Sequence, residues 1–168
     1  MNATSIRRAA SFAAFGILCA LAPPVLAQKA VIVVRHAEKV DESTDPLLSA
    51  AGTARAESLA RTLKSLDIKG VYVTQFQRTA LTAAPLAKAL GLTVTVVKAE
   101  APPELVERMT REHPRDVVLA VGHSNTVPMI LSALGHAEIV KLGSDEFDSL
   151  FVVVPQSSGP PTVLRLRY

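Results

Sequence analysis

Two histidines that lie far apart in the chain each follow a short run of apolar, largely β-branched residues. Arg35 and His36 follow the run 30–34, and His123 comes after the run 116–121 and one glycine. Runs of this length that end in a break are typical of buried strands. Strands buried on both faces belong to parallel α/β sheets, whose ligands bind at the carboxyl ends of the strands. Both imidazoles and the arginine are therefore predicted to face one crevice.

The rest of the chain alternates between strand-like and helix-like patterns. Strands are predicted at about 30–35, 70–74, 93–97 and 117–121, and helices follow them from about 49, 76, 102 and 124. This alternation predicts right-handed βαβ units and a three-layer α/β/α sandwich with a mostly parallel sheet. Two last strands, at 148–154 and 162–167, are joined by a short turn and are predicted to pair antiparallel.

Particular residues mark where the helices begin. Ser49 and Ser124 are the expected N-caps of the first and fourth helices, since their hydroxyls can accept from free backbone N–H groups. Pro85 is expected either to kink the second helix or to mark its late start, because proline lacks the N–H that a helix interior uses.

The first 27 residues are predicted to be a signal peptide. Arg7 and Arg8 precede the apolar run 11–22, and Ala27 ends a stretch that resembles a small-residue cleavage site. We expect Gln28 to begin a mature protein that is exported to the periplasm or secreted. An uncleaved anchor is the alternative, although a membrane span needs ~20 apolar residues.

Without that leader, residues 28–168 have the size of one domain with a sizeable core. The net charge of +3 falls to +1, and no block of lysine or arginine favours a nucleic-acid partner. The single cysteine, Cys19, lies in the leader. The mature chain is therefore expected to lack disulfides, thiolate metal sites and cysteine nucleophiles, and to have no stable association with a membrane.

The residue types at the strand ends suit phosphate chemistry. A neutral imidazole such as His36 can attack phosphorus, and the guanidinium of Arg35 offers a planar fork of donors to phosphate oxygens. Arg78 follows the second strand at a predicted helix start, where N–H groups attract anions, and it has no acid three or four residues away. His123 is placed at another helix start.

Two other kinds of site compete with this interpretation. The sequence Gly122-His123-Ser124 begins like the nucleophile elbow of serine hydrolases, but Thr126 stands where that motif has its second glycine. The later acid and histidine of such a triad are also missing in their usual order. The four histidines form no His-x-x-x-His pair, so a metal site is not expected.

Taken in order, three segments resemble the histidine phosphatase superfamily, the family of phosphoglycerate mutases and acid phosphatases. They are Arg35-His36, the pair Arg78-Thr79 with Thr82-Ala83, and Gly122-His123-Ser124. The short length is most similar to the small phosphohistidine phosphatases and their exported relatives. The resemblance implies a phosphoglycerate mutase-like fold over residues 28–168, with His36 as nucleophile. It further implies that Arg35, Arg78 and the catalytic His123 bind phosphate and that no metal or cofactor is needed.

The chain departs from the family pattern at two places. Ala37 replaces the glycine of the usual Arg-His-Gly, which is harmless unless that position needs a positive φ. The general acid is not evident, because the segment after the third strand lacks the glycine-containing insert of many relatives. Glu100 and Glu104 are candidates by position, and Glu38 is a candidate because it lies two residues past His36.

Two functions follow from the sequence. The first is a metal-independent hydrolase of phosphomonoesters or phosphoamides that forms a phosphohistidine on His36, with a small molecule or a protein as substrate. The alternative is a phosphate-binding protein of low turnover on the same fold, which the uncertain acid favours. Neither the substrate nor the oligomeric state follows from the sequence.

Overall fold

The structure, a computed structural model, describes residues 28–168. The predicted leader and its cleavage site near Ala27 lie outside the described residues, so export stays a prediction. The elements in chain order are β1 (Ala30–Arg35), α1 (Ala50–Leu63), β2 (Ile68–Val73), α2 (Gln77–Leu90), β3 (Val94–Val96), α3 (Pro102–Glu112), β4 (Val117–Gly122), α4 (Thr126–Ala133), β5 (Ser149–Val154) and β6 (Thr162–Arg167).

The six strands form one sheet in the order β3-β2-β4-β1-β5-β6. The first four strands of that order run parallel, and β5 and β6 pair antiparallel beside β1. The prediction of a mostly parallel sheet with an antiparallel final pair is therefore confirmed. All four parallel strands have their carboxyl ends at the same edge of the sheet.

The sheet is covered on both faces, which gives the predicted three layers. Alternation along β1 sends Val31 and Val33 into the core beneath α3 and α4, and Ile32 and Val34 into the core beneath α1 and α2. All four of these side chains are at most 1% exposed. Burial on both faces explains why β1 is a continuous apolar run rather than an alternating one.

Most helix starts agree with the sequence, and one does not. Ser49 is the N-cap of α1, and its Oγ accepts from the backbone N of Gly52 at 3.1 Å. Ser124, in contrast, is not the N-cap of α4, which begins two residues later. The backbone N–H of Thr126 binds the carbonyl of His123, and its Oγ1 accepts from the N–H of His123, so this side chain closes the turn instead.

Pro85 lies inside α2, which runs unbroken from Gln77 to Leu90, so it does not mark a late start. No helix among residues 28–168 has both the length and the apolar character needed to cross a membrane.

The first turn of α1 packs tightly against the start of the loop after β1, close to His36, and holds this part of the loop in place. A Cβ added to Gly52 would lie 2.1 Å from the carbonyl oxygen of Glu38. The same carbonyl accepts from the backbone N of Ser49 at 2.9 Å, so it cannot move without breaking the cap of α1.

We expect Gly52→Ala to destabilise the protein by about 2 kcal/mol, because overpacking of this size forces the backbone apart. In an ordinary helix interior, glycine to alanine increases stability by about 1 kcal/mol. A loss of stability in Gly52→Ala would therefore indicate the close contact with Glu38. Urea unfolding measures it. Gly143→Ala is the control, since its Cβ would meet nothing closer than 3.8 Å. Equal stability of Gly52→Ala and wild type would contradict the packing described here.

Candidate active site

The two histidines meet because the strands that carry them are neighbours in register. Arg35 at the end of β1 pairs with Gly122 at the end of β4, so the next residues, His36 and His123, leave the sheet side by side. The backbone N of His36 donates to the carbonyl of Gly122 at 2.9 Å, which extends the ladder by one bond. The ring centroids of His36 and His123 lie 5.2 Å apart. Residues 87 positions apart in the chain thus share one site.

The ring of His36 is held in one tautomer. Its Nδ1 lies 2.8 Å from the carbonyl oxygen of Ala37, and a carbonyl can only accept, so Nδ1 carries the proton. The lone pair of the neutral ring is therefore on Nε2. Burial, together with the positive charges of Arg35 and Arg78, lowers the pKa of His36 to about 4, so the imidazole is neutral and nucleophilic near pH 7.

His123 is held by hydroxyl groups from the segment after β2. Its Nε2 lies 2.9 Å from Oγ1 of Thr74, which lies 3.0 Å from Oγ1 of Thr79. The ring of Phe76 packs edge-on against the imidazole at 5.3 Å. Burial, together with the nearby His36 and Arg78, lowers the pKa of His123 to about 3. The second imidazole is neutral as well.

Arg35 is anchored on one side only. Its Nη1 donates to the carbonyls of Gly143, Ser144 and Glu146 at 2.8–3.2 Å, and the ring of Phe147 stacks on the guanidinium at 4.0 Å. Its Nε is buried and has no acceptor among the described residues. The guanidinium is thus fixed in place while part of its donor set has no protein partner, which suits an anionic ligand.

Arg78 lies in the first turn of α2, as the sequence predicts, but its surroundings differ from the expectation. It has a carboxylate neighbour, because Asp45 of the loop after β1 comes to 3.7 Å from its Nη1. The same carboxylate accepts from the backbone N of Gln77 at 2.8 Å and caps the helix. The guanidinium lies 4.2 Å from the centre of the Phe76 ring, and its Nε has no acceptor in the described part of the chain.

These groups line one cavity of about 580 Å³ at the carboxyl edge of the sheet. Its positive side chains are Arg35, Arg78 and Lys39, and its walls also include Phe76, Ala99, Glu100, Ser124, Asn125, Thr126, Met129 and both imidazoles. Of the lining side chains, Glu100 alone is acidic. The cavity is thus strongly cationic, as an anion site requires. Within residues 28–168, no three metal-ligating side chains come together.

The structure separates the three candidate acids. Glu100 lies in the cavity wall, where its carboxylate accepts from Nε2 of Gln75 at 3.3 Å. Glu104 lies in the first turn of α3 and does not line the cavity. Among residues 28–168, Glu100 is the one acidic residue in the wall of this cavity, so it is the candidate acid that the geometry favours.

Glu38 does not fit the role of acid. Its carboxylate is bound by both Nε and Nη2 of Arg55, at 2.6–2.9 Å, and it does not line the cavity. Burial raises the pKa of Glu38, but the hydrogen bonds from Arg55 outweigh this and lower it below the usual range. A carboxylate that is bound in this way outside the cavity is not placed to protonate a leaving group, and Glu38 instead links the loop after β1 to α1.

Ala37, where the family has glycine, is accommodated without strain. No residue other than glycine has a positive φ among residues 28–168, so this position does not need glycine. The backbone N of Ala37 donates to Oγ1 of Thr82, while its carbonyl accepts from His36. Thr82 in turn donates to the carbonyl of Arg78 at 2.7 Å. The Thr82 of the sequence motif therefore connects α2 to the nucleophile loop.

Several residues at the site were not picked out by the sequence. Phe147 and the carbonyls of 143–146 come from a loop between α4 and β5 that carries no motif, and only the tertiary fold brings them to Arg35. Lys39 lies three residues after His36, and Phe76 lies two residues before Arg78. This closeness in sequence to recognised residues was the available signal.

Comparison with known proteins agrees with this geometry. Residues 31–100 match the model of the histidine phosphatase superfamily (branch 1). The protein histidine phosphatase SixA, in a structure with tungstate, is 20% identical with a TM-score of 0.65; the match covers 82% of this chain and 96% of that one. A mycobacterial glucosyl-3-phosphoglycerate phosphatase is 14% identical with a TM-score of 0.66, over 83% of this chain and 98% of that one. Curated protein sequences give no match.

The chain has the histidine phosphatase fold. The matched stretch carries Arg35, His36 and Arg78, so the part of the chain that resembles the superfamily by sequence includes three of the four residues predicted to act on phosphate. The family match and the shared fold together support a phosphatase. His123 lies beyond the matched stretch, and the pairing of β1 with β4 is what joins it to the other three residues.

The buried imidazole at position 36 should make stability depend on pH. Its pKa is about 4 in the folded protein and about 6.5 in an unfolded chain, so the unfolded form binds more protons between these values. Stability is then fully present above pH 6.5 and falls as the pH drops toward 4. We expect His36→Gln to reduce this slope by about 1.4 kcal/mol per pH unit in that window. Urea unfolding at pH 4.5, 5.5, 6.5 and 7.5 measures it, and an unchanged slope would contradict the assignment.

Proposed function

We propose that the protein hydrolyses phosphomonoesters or phosphoamides through a covalent phosphohistidine on His36. The observation that carries this proposal is the fixed tautomer of His36 in a cationic cavity. Nδ1 donates to the carbonyl of Ala37, Nε2 keeps its lone pair, and the low pKa keeps the ring neutral. A neutral imidazole whose ring is held by its other nitrogen is the form that attacks phosphorus.

In the first step, Nε2 of His36 attacks the phosphorus atom, and the bond from phosphorus to the leaving group breaks. Arg35, Arg78 and His123 surround the phosphoryl oxygens, where their donors stabilise the negative charge of the transition state. The leaving oxygen or nitrogen takes up a proton from Glu100. The products of this step are phospho-His36 and the free alcohol, phenol or amine.

In the second step, water attacks phospho-His36, and the bond between phosphorus and Nε2 breaks. Glu100, now ionised, accepts a proton from the water. Inorganic phosphate leaves, and both His36 and Glu100 return to their starting states. The aromatic rings of Phe76 and Phe147, which lie against the two arginines, exclude water from the guanidinium faces and keep them in position.

SixA, which has the same fold, is complexed with tungstate, and this supports an anionic ligand because tungstate is a tetrahedral oxyanion that resembles phosphate. The buried Nε atoms of Arg35 and Arg78 point the same way, since neither has an acceptor among the described residues.

Replacement of the nucleophile tests the proposal directly. We expect His36→Ala to lower phosphate release from p-nitrophenyl phosphate by at least about a thousandfold, because the covalent route is lost. The wild type is also denatured rapidly, without acid, during turnover of a ³²P-labelled substrate. We expect the denatured protein to carry ³²P that is stable in base and lost in acid, because phosphohistidine is a phosphoramidate. His113→Ala, at a histidine that does not line the cavity, is the matched control.

The outcomes separate the two functions suggested by the sequence. A wild type that binds phosphate ester but releases no inorganic phosphate would be a binding protein. Release at the wild-type rate by His36→Ala would rule out the phosphohistidine route. Inversion of configuration at phosphorus together with a full loss in His36→Ala would show that water, not the imidazole, attacks phosphorus, because the two displacements of the phosphohistidine route give net retention.

The role of Glu100 is tested by the leaving group. A poor leaving group needs a proton in the transition state, whereas p-nitrophenolate leaves without one. We expect Glu100→Gln to lower kcat/KM about a hundredfold for an alkyl phosphate and less than about fivefold for p-nitrophenyl phosphate. The parameter is kcat/KM because it reports the steps up to departure of the leaving group, before Glu100 acts on water. Glu104→Gln, four residues further on and outside the cavity, should change neither value. Equal losses on both substrates would show that Glu100 does not act as the acid.

A further inference from the structure

A groove lies beside the reaction cavity, along the exposed face of α4. Asn125, Met129 and Ala133 are spaced four residues apart and so lie along one side of the helix. Asn125 and Met129 line the reaction cavity, while Met129 and Ala133 line the groove. Met129 therefore forms a shared wall, and the helix surface leads from one space into the other over about 12 Å.

The groove is largely apolar and has a volume of about 460 Å³. Its lining includes Pro103, Pro128, Met129 and Ile139. Met129 is 51% exposed and Ile139 is 88% exposed, which is unusual for large apolar side chains gathered at one place. Apolar side chains that line a concave surface beside a reaction cavity are typical of a ligand site.

Charge gives the two spaces opposite characters. The reaction cavity carries Arg35, Arg78 and Lys39, whereas the groove is lined by no arginine or lysine and includes the acid Glu138. A phosphate group is therefore attracted to the cavity and repelled from the groove. A molecule with an anionic head and an apolar tail would fit both spaces in one orientation, with its head at His36 and its tail toward Ile139.

We propose that the groove binds the apolar part of the leaving group, so that the preferred substrate is an amphiphilic phosphate monoester. This inference rests on the proposed function, since the phosphoryl group is placed at His36. The tail passes Met129 and lies on the side chains of Pro128 and Ile139. Burial of its methylene groups then contributes to the binding of both ground state and transition state, which raises kcat/KM.

A series of para-alkylphenyl phosphates tests the inference. The 4-methyl, 4-propyl and 4-pentyl compounds release phenols of nearly equal acidity, so their chemistry is constant and only the tail changes. A fully buried methylene is worth about a fourfold gain, and a groove open on one side should give about half of that factor. The pentyl compound has four more methylene groups than the methyl compound, so we expect kcat/KM to rise about fifteenfold between them.

A matched pair of variants locates the tail. Ile139→Glu places a charge in the groove and should reduce the pentyl-to-methyl ratio of kcat/KM to about twofold or less. Leu164→Glu makes the same change at a 50% exposed aliphatic residue on β6, away from both spaces, and should keep the wild-type ratio. Both residues are exposed, so neither change disturbs the core.

Each outcome is informative. Hydrolysis of all three esters with equal kcat/KM would overturn this inference and leave the phosphatase function standing. A chain-length effect that Ile139→Glu does not alter would also overturn it. If no ester is hydrolysed, the proposed function and this inference fail together. Light scattering that shows a dimer for the wild type and a monomer for Ile139→Glu would assign the groove to a second copy of the chain instead.

Discussion

The parallel pairing of β1 with β4 determines where the residues of the site lie relative to one another. With Arg35 opposite Gly122, the residues that follow the two strands must leave the sheet next to each other, about one strand spacing apart. A shift of one residue would turn His36 or His123 toward the other face of the sheet. The register is specified by burial, since the side chains of Ile32, Val33 and Val34 are packed on both faces. The hydrophobic core is therefore also what sets the geometry of the two imidazoles.

Electrostatics in the cavity follow from that burial. Three cationic side chains around two imidazoles would be unfavourable if the rings were also charged. Burial and the neighbouring arginines lower both histidine pKa values to about 4 or below, so the rings stay neutral. The same surroundings thus keep His36 nucleophilic while Arg35 and Arg78 keep the cavity attractive to a phosphate dianion. One environment serves both requirements.

The sequence predicted the parts of this site that local patterns encode. The apolar runs before His36 and His123 predicted two strands that end at the same edge of the sheet, and hence that the two rings meet there. The motif around Arg78 predicted the helix that carries it. The acid was not predictable, because Glu38, Glu100 and Glu104 differ only in what they touch. Arg55, seventeen residues away, removes Glu38 from consideration through a pair of hydrogen bonds that no spacing reveals. Likewise, Asp45 reaches Arg78 from a separate loop.

The loop 143–147 is another part of the site whose role depends on tertiary contacts rather than on a sequence motif. It has no recognisable motif, yet its carbonyls hold Nη1 of Arg35 and Phe147 covers the guanidinium. Its own position comes from Glu146, whose carboxylate binds Ser149 and Arg165 on the antiparallel pair β5 and β6. These bonds and the flanking cations lower the pKa of Glu146 to about 2, so the anchor is charged at any pH where the imidazoles are neutral. The two antiparallel strands, which carry none of the motif residues, thus orient the arginine beside the nucleophile.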